Sequence, residues 1–202
     1  MGTGGVLPGQ EPGYRGEQLG PPGGRPAGGW WEAPLRTRRR QPDVPAPDRP
    51  WDEILPGLWM GGHQYRGRTG RLEFAVVRQE FDLVQTLLRL PGHGPDAEVE
   101  HQVWPIPDGP LDGTQIAGVI RMAEAACEAL DRGRRVLVRC YHGYNRSGLV
   151  VAHALIRRGS TADEAIRLIR ARRSSWALHN DLFVDYLRAG LTTARLLEDL
   201  TD

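Results

Sequence analysis

The chain has 202 residues, of which 40% are hydrophobic, and a formal net charge of +1 at pH 7. This length suits one folded domain with some additional chain, and the near-neutral charge argues against a general binder of polyanions. Two cysteines make no disulfide framework, and neither a membrane-spanning apolar stretch nor a signal-peptide core is present, so a cytoplasmic location is expected.

The first 50 residues have the composition of a disordered tail. They hold 11 of the 26 glycines and 10 of the 16 prolines. Such a segment cannot bury enough apolar surface to offset the entropy lost on ordering. The arginine-rich run at 36–40 is interpreted as a solvated patch rather than a site for nucleic acid, lipid or an acidic partner. The sequence therefore predicts a tail over 1–50 and a folded domain over 51–202.

Within that domain the pattern predicts strands that alternate with helices. In chain order, strands are expected within 54–62, 81–90, 98–106 and 134–140, with a helix at 70–79. Further helices are expected at 114–130, at 147–158, after the capping box of Thr161 and Glu164, and last at 178–190. This alternation predicts an α/β fold in which helices flank a mainly parallel central sheet.

The stretch RCYHGYNRSGLV, residues 139–150, joins the last predicted strand to an apolar helix. Cys140 and Arg146 stand six positions apart, with Gly143 midway and Ser147 after the arginine. The Cys–Arg spacing alone is weak evidence, since about one residue in eight of this chain is arginine. The strand before the loop and the helix after it make the pattern specific.

This arrangement suits nucleophilic chemistry on an anion. A loop that enters a helix turns successive backbone N–H groups inward, and these groups bind anions. The helix dipole and Arg146 favour the thiolate form of Cys140, and the arginine fork matches two phosphate oxygens. Gly143 and Asn145 tolerate the positive φ angles that such a loop needs, and Ser147 can donate a hydrogen bond to the sulfur. A thiolate beside bound phosphate is a nucleophile for phosphorus.

The stretch VRCYHGYNRSG resembles the Cys-x5-Arg-Ser/Thr signature loop of cysteine-dependent protein tyrosine phosphatases. Three further stretches are similar to the compact dual-specificity branch of that superfamily: ILPGLWMGG, WPIPDGPLD and RRSSWALHNDLFVDYL. The resemblance covers residues 51–190 and leaves out the tail. It implies a phosphotyrosine protein phosphatase-like α/β fold.

The resemblance also implies roles for individual residues. Cys140 attacks the phosphate to form a phosphocysteine, Arg146 and the loop amides stabilise the equatorial oxygens, and water then hydrolyses the intermediate. By the match to PIPDG, Asp108 protonates the leaving oxygen and later activates the water. Asp112 is its rival, and Asp108 also suits a simple turn before Gly109.

The other loop residues are expected to shape or line the substrate pocket: Tyr141, His142, Gly143, Tyr144 and Asn145. Neither a metal ion nor an organic cofactor is expected, because no second metal ligand stands near His142 in the sequence. The second cysteine, Cys127, falls on an apolar helix face and is assigned to the core.

Two positions depart from the family pattern. Arg139 stands where the family has a histidine that orders the loop from behind, and Asn145 replaces the second glycine of the common loop. Because side chains alternate along a strand, Arg139 is expected to point away from the phosphate while Cys140 points toward it. Neither departure removes a reacting group.

Three functions are therefore compared. The first is a phosphatase that acts on phosphotyrosine, phosphoserine or phosphothreonine in proteins, with phosphoinositides and phosphorylated metabolites as open substrates. The second is a phosphate-binding pseudoenzyme, which the replaced histidine suggests. The third is a rhodanese-like sulfurtransferase, which leaves Asp108 without a role. The phosphatase is favoured, with no nucleic-acid or membrane partner, and the sequence gives no oligomeric state.

Overall fold

The structure is a computed structural model that describes residues 44–198. The described residues form a five-stranded main sheet, a two-stranded sheet and five helices. The strands are β1 Trp51–Leu55, β2 Leu58–Gly62, β3 Gln64–Arg66, β4 Leu72–Phe74, β5 Leu83–Thr86, β6 Glu100–Val103 and β7 Val136–Cys140. The helices are α1 Gly113–Asp131, α2 Arg146–Arg157, α3 Ala162–Arg172, α4 Asp181–Ala189 and α5 Leu191–Glu198. The main sheet has the order β1-β2-β7-β5-β6, and only β1 runs antiparallel to its neighbour. The predicted α/β fold with a mainly parallel sheet is confirmed.

Strand β7 lies at the centre of the sheet and is buried along its whole length. Its side chains alternate, so Val136, Val138 and Cys140 join the larger core together with the buried faces of the helices. Leu137 faces the other way, into a smaller cluster that includes Phe81. Burial on both faces explains why this strand is a continuous apolar run in the sequence.

The segment 54–62 contains two strands rather than one. β1 and β2 pair as an antiparallel hairpin, with Trp51 opposite Gly61. The chain reverses at Gly57, whose φ is 84°, a value that glycine adopts without steric cost. The Pro56–Gly57 pair was therefore a turn signal inside what the sequence analysis treats as a single strand.

The helix predicted at 70–79 is wrong. Residues 64–74 form a hairpin in which β3 pairs antiparallel with β4, and Gln64 stands opposite Phe74. The reversal between them uses Gly70, whose φ is 78°, and the Tyr65 hydroxyl donates to Glu73 across the strands at 2.9 Å. Glycines at 67 and 70 were the available signal for this turn.

The C-terminal part holds one helix more than predicted. Asn180 caps α4 through a hydrogen bond from the Leu182 N–H. Gly190, with a φ of 87°, ends α4, and α5 follows at once. The assignment of 178–190 as the last helix is therefore wrong. Within residues 44–198, none of the helices has both the length and the hydropathy needed to cross a lipid bilayer.

Residues 44–50, here called the N-terminal strap, pack against the domain although the sequence analysis places them in the tail. The Pro50 carbonyl accepts from the Gly62 N–H at 3.0 Å, and the Pro47 carbonyl accepts from the Arg66 N–H at 2.7 Å. Pro47 is buried. The rest of the predicted tail, with its arginine-rich run at 36–40, lies outside the described residues, and the division at residue 50 stays a prediction.

Candidate active site

The candidate active site is the loop between β7 and α2. β7 ends at Cys140 and α2 begins at Arg146, so residues 141–145 make the turn. Gly143 lies midway with a φ of 72°, and a Cβ there would be 2.3 Å from the backbone of Gly61 on β2. Glycine is required on both counts, by the positive φ and by the close approach. The loop is thereby packed directly against the neighbouring strand.

Cys140 and Ser147 face each other inside this loop. The distance from Cys140 Sγ to Ser147 Oγ is 3.4 Å, and both residues are buried. Ser147 stands in the first turn of α2. Its hydroxyl is therefore placed to donate a hydrogen bond to a thiolate at Cys140.

The N-terminus of α2 carries no side-chain cap. Asn145 occupies the N-cap position but makes no capping hydrogen bond. In contrast, Asp112 caps α1 and Thr161 caps α3. The first N–H groups of a helix have no intrahelical partners, and the helix dipole favours an anion there. The N–H groups at the start of α2 thus remain available to an anionic ligand beside Cys140.

Arg146, the first residue of α2, has a donor without an acceptor. Its side chain is half-buried, and the buried Nε has no hydrogen-bond partner among the described residues. A buried N–H without a partner carries a desolvation cost, which a bound acceptor removes. Phosphate oxygens match a planar guanidinium in charge and geometry.

The structure separates the two candidate acids. Asp108 lies at the mouth of the loop, where one carboxylate oxygen accepts from Asn145 Nδ2 at 3.2 Å and the other from Asn180 Nδ2 at 3.0 Å. Asp112 instead caps α1, and its Oδ1 accepts from the Gln115 N–H at 2.7 Å. Asp108 is tied to a loop residue next to Arg146, whereas Asp112 is occupied by the helix.

Asn145 is the centre of this polar network. Its Oδ1 accepts from the backbone N–H of Asn180 at 3.2 Å, and its Nδ2 also lies 3.1 Å from His179 Nε2. His179 Nδ1 lies 2.8 Å from the Trp176 carbonyl. A carbonyl only accepts, so Nδ1 carries the proton and Nε2 accepts from Asn145. The asparagine in place of the family's glycine thus links the loop to Asp108 and to the segment before α4.

Arg173 holds the loop from outside, a role that the sequence analysis missed. It is buried, and its Nε donates to the Gly143 carbonyl at 3.1 Å while Nη2 donates to the His142 carbonyl at 2.8 Å. The remaining Nη1 forms an ion pair with Asp52 at 2.7 Å. Because both loop carbonyls point outward to Arg173, the loop N–H groups are left to face inward. The stretch RRSSWALHND contained this signal only through its likeness to the family.

The N-terminal strap reaches the same loop. The Tyr144 hydroxyl donates to the Pro45 carbonyl at 3.0 Å, and Arg173 Nη1 donates to the Arg49 carbonyl at 3.0 Å. The Arg173 guanidinium also lies 5.8 Å from the centre of the Tyr144 ring, within range of a cation–π contact. Tyr144 is therefore a buried support of the loop rather than an exposed pocket wall.

Tyr141 and His142 form the start of the loop after β7. Tyr141 is exposed, and its ring centre is 4.8 Å from that of half-buried His142. His142 Nε2 lies 3.4 Å from the Gln64 side-chain oxygen on β3. Burial, together with the nearby charges of Arg173 and Arg146, lowers the pKa of His142. The imidazole is therefore neutral at pH 7.

Arg139 is fully buried and points away from the loop. Its Nε donates to Thr86 Oγ1 at 3.2 Å, and Nη2 donates to the His93 carbonyl. Nη1 has no hydrogen-bond partner among the described residues. Burial lowers the pKa of Arg139 to about 10, so the side chain stays protonated at neutral pH. Its bonds fix β5 and the segment after it, while Arg173 binds the loop carbonyls.

Cys127 lies on α1, and burial raises the pKa of its thiol. Its Sγ is 3.5 Å from the Ala154 carbonyl of α2. This position agrees with the packing role that the sequence predicts. In the part of the chain that the structure describes, no three His, Cys, Asp or Glu side chains converge as metal ligands.

Comparison with known families gives one match, over part of the chain. Residues 98–190 match a family model described as "Dual specificity phosphatase, catalytic domain". The matched span contains the loop and Asp108. No curated protein sequence matches the chain.

Solved structures share the fold at low sequence identity. Human DUSP28 has a TM-score of 0.56 at 19% identity, with 74% of this chain and 99% of that chain covered. A mouse putative dual specificity phosphatase complexed with zinc tungstate has a TM-score of 0.51 at 22% identity, covering 79% and 98%. The human tyrosine phosphatase-like serine/threonine/tyrosine-interacting protein has a TM-score of 0.53 at 21% identity, covering 74% and 99%. These likenesses establish the fold.

Proposed function

We propose that this chain, which is dual-specificity phosphatase-like, hydrolyses phosphate monoesters of proteins through a phosphocysteine intermediate. One observation carries the proposal. Cys140, Ser147 and Arg146 lie together at the uncapped N-terminus of α2, and a loop residue, Asn145, binds Asp108. Cys140 is the nucleophile, Ser147 a hydrogen-bond donor to its sulfur, Arg146 a phosphate ligand, and Asp108 the carboxyl group.

In the first step, the Cys140 thiolate attacks phosphorus and the bond from phosphorus to the ester oxygen breaks. Arg146 and the inward N–H groups of the loop bind the equatorial oxygens, whose charge they stabilise in the transition state. Asp108 gives its proton to the leaving oxygen, so the product leaves as a neutral alcohol or phenol. Asn145 and Asn180 hold the carboxyl group at the loop during this transfer.

In the second step, the Asp108 carboxylate takes a proton from water, and the resulting nucleophile attacks the phosphocysteine. The bond from phosphorus to sulfur breaks, inorganic phosphate forms, and Cys140 leaves as a thiolate. Ser147 donates a hydrogen bond to the departing sulfur, which it faces at 3.4 Å. The loop and Arg146 bind the same oxygens in both steps, so one site serves the whole cycle.

The shape of the site supports mixed protein substrates. Tyr141 is exposed at the loop, and the described elements around it supply a half-buried His142 and the short hairpin β3–β4. We propose that this site has low walls, which would admit the short phosphoserine and phosphothreonine side chains as well as phosphotyrosine. Phosphoproteins are therefore the proposed substrates, in a cytoplasmic setting.

Hydrolysis of p-nitrophenyl phosphate tests the proposal. The wild-type chain is expected to release p-nitrophenolate, and Cys140→Ser to release none while it still binds tungstate or vanadate. Rapid acid quench with a ³²P-labelled phosphopeptide should trap phosphate on the wild-type protein and not on Cys140→Ser. Hydrolysis that persists in Cys140→Ser excludes the cysteine mechanism.

The two alternatives give different results in the same assays. A pseudoenzyme binds tungstate but turns over no ester in the wild-type form. A sulfurtransferase transfers sulfur from thiosulfate to cyanide and leaves p-nitrophenyl phosphate intact. The presence of Asp108 at the loop, bound by Asn145 and Asn180, favours the hydrolase because sulfur transfer gives this carboxyl group no role.

A further inference from the structure

The hairpin β3–β4 exposes apolar side chains on one side. Leu72, Phe74 and Val76 are 53%, 48% and 61% exposed. Glu73, the residue between Leu72 and Phe74, is also exposed, whereas Ala75 and Val77 are buried. Exposed apolar side chains at the edge of a sheet are unusual, because such edges favour pairing with another chain.

The exposed row lies beside the candidate active site. Phe74 pairs with Gln64 across the hairpin, and the Gln64 N–H donates to the Tyr141 carbonyl at 3.0 Å. Neighbouring strands are about 4.8 Å apart, so the outer edge of β4 lies about 10 Å from the loop backbone. Tyr141, which is 36% exposed, adds an apolar ring on the loop itself. The surface formed by Leu72, Phe74, Val76 and Tyr141 is called the hairpin surface below.

The outer edge of β4 also offers backbone hydrogen bonds. Arg71 accepts from the Gly67 N–H through its carbonyl, and Ala75 donates to the His63 carbonyl, so these two residues bond toward β3. In an antiparallel pair the bonding direction alternates. The N–H and C=O groups of Leu72 and Phe74 therefore point to the free side, where the two-stranded sheet has no further strand among the described residues.

The charge of the hairpin favours an acidic partner. Residues 63–78 contain four arginines and one acidic residue, Glu73, which accepts from the Tyr65 hydroxyl. Arginine and exposed aromatic side chains are also enriched at protein interfaces. A phosphorylated segment with acidic flanks complements this charge. A third strand beside β4 would lie about 15 Å from the loop backbone, so the phosphorylated residue would stand in the extension of the segment beyond the paired residues.

We propose that the β4 edge binds an extended segment of the phosphoprotein substrate as a third strand, with apolar side chains on the hairpin surface. This inference rests on the proposed function, since it names the substrate class of the same site. A lipid surface is a poorer occupant, because it leaves the outward N–H and C=O groups of Leu72 and Phe74 without partners. An extended peptide pairs both the backbone groups and the side chains.

Binding without turnover tests the surface separately from the chemistry. The full chain carrying Cys140→Ser is titrated into a fluorescein-labelled phosphotyrosine peptide of about twelve residues with acidic flanks, long enough to add a strand. Leu72→Ser with Phe74→Ser should weaken the anisotropy-derived Kd about 10-fold or more, the usual effect of removing interface anchors. The matched control is Leu196→Ser with Leu197→Ser, two exposed leucines of α5, which should leave Kd unchanged.

A second pair of variants tests the backbone contribution. Phe74→Pro removes the outward N–H, while Phe74→Ala removes the same ring and keeps that N–H. The proline variant should bind the peptide more weakly than the alanine variant by a factor of several. Melting curves for all variants establish that the domain is folded, which is expected because the substituted side chains are exposed.

Three results would overturn the docking proposal. One is an unchanged peptide Kd in the Leu72→Ser and Phe74→Ser double variant. The second is equal binding by the proline and alanine variants. The third is a double variant that no longer binds vesicles of anionic phospholipid but still binds the peptide. That result would assign the surface to membranes. If the wild-type chain does not hydrolyse p-nitrophenyl phosphate, the proposed function is refuted. The comparison of peptide Kd values between variants still tests the docking surface in that case.

Discussion

Deletion of the N-terminal strap should weaken both the stability and the catalysis of this chain. A protein that starts at residue 51 lacks the strap, while one that starts at residue 44 retains it. The strap supplies four backbone carbonyls to the domain: Pro45 to Tyr144, Pro47 to Arg66, Arg49 to Arg173 and Pro50 to Gly62. Two of the four donors, Tyr144 and Arg173, hold the catalytic loop.

The magnitude follows from these bonds. At about 1 kcal/mol net for each hydrogen bond, the shorter protein loses about 4 kcal/mol of unfolding free energy. For a domain of this size, that loss lowers Tm by about 10 °C. The two bonds that reach Tyr144 and Arg173 account for about 2 kcal/mol. If the loop must be ordered at that cost in each turnover, kcat/KM falls about 30-fold.

Thermal melting and p-nitrophenyl phosphate kinetics measure the two effects on purified proteins. The protein that starts at residue 44 is the control and should match the full chain, because the predicted tail is expected to contribute little to the folded core. Equal Tm and equal kcat/KM for the two truncations would refute the role of the strap. If Tm and kcat/KM already fall in the protein that starts at residue 44, the support lies upstream of that residue.

Three further outcomes are expected. Asp108→Asn should lower kcat about 10²- to 10⁴-fold for an ester with a poor leaving group and much less for p-nitrophenyl phosphate. Asp112→Ala removes the cap of α1 and should lower Tm instead, and a reversal of these patterns would exchange the assignments. Arg173→Lys keeps a cation for Asp52 but loses the fork on the two loop carbonyls, so kcat should fall at least about 10-fold, and unchanged kinetics would remove Arg173 from loop positioning. Burial, with Arg139 nearby, lowers the pKa of His63 to about 4. Between this value and the unfolded pKa of 6.5, the unfolded chain binds more protons than the folded one. Stability that is present above pH 6.5 is therefore lost as the pH falls, and the loss is about 2 kcal/mol at pH 5. Urea unfolding of the wild-type chain above pH 6.5 and at pH 5 should show this loss, and His63→Phe should reduce it. An equal pH dependence in the wild-type and His63→Phe proteins would contradict the assignment.

The loop between β7 and α2 was predictable because its features are local. The Cys140–Arg146 spacing, the glycine at 143 and the change from strand to helix all lie within one short stretch. Local geometry follows from such a stretch because a turn into a helix needs few contacts from elsewhere. The α/β fold was predictable for a related reason, since burial on both faces of β7 leaves a continuous apolar run.

The hairpin β3–β4 was not predictable in the same way. Leu72, Phe74 and Val76 stand at every second position, as in a strand, yet residues 74–77 form a short run that is apolar at every position. A short apolar run does not distinguish a strand from a helix by its period alone. The choice depended on pairing with Gln64–Arg66, a contact outside the run.

The sequence alone determined the groups available for chemistry: a cysteine, an arginine and a serine at fixed spacing before a helix, and two candidate acids upstream. Tertiary structure decided which acid belongs to the loop, because only packing brings Asn145 and Asn180 onto Asp108 and leaves Asp112 to cap α1. It also decided what supports the loop. Arg173 is 30 positions from the Gly143 carbonyl it binds and 124 from the Arg49 carbonyl, and no local pattern encodes contacts between residues so far apart in the chain.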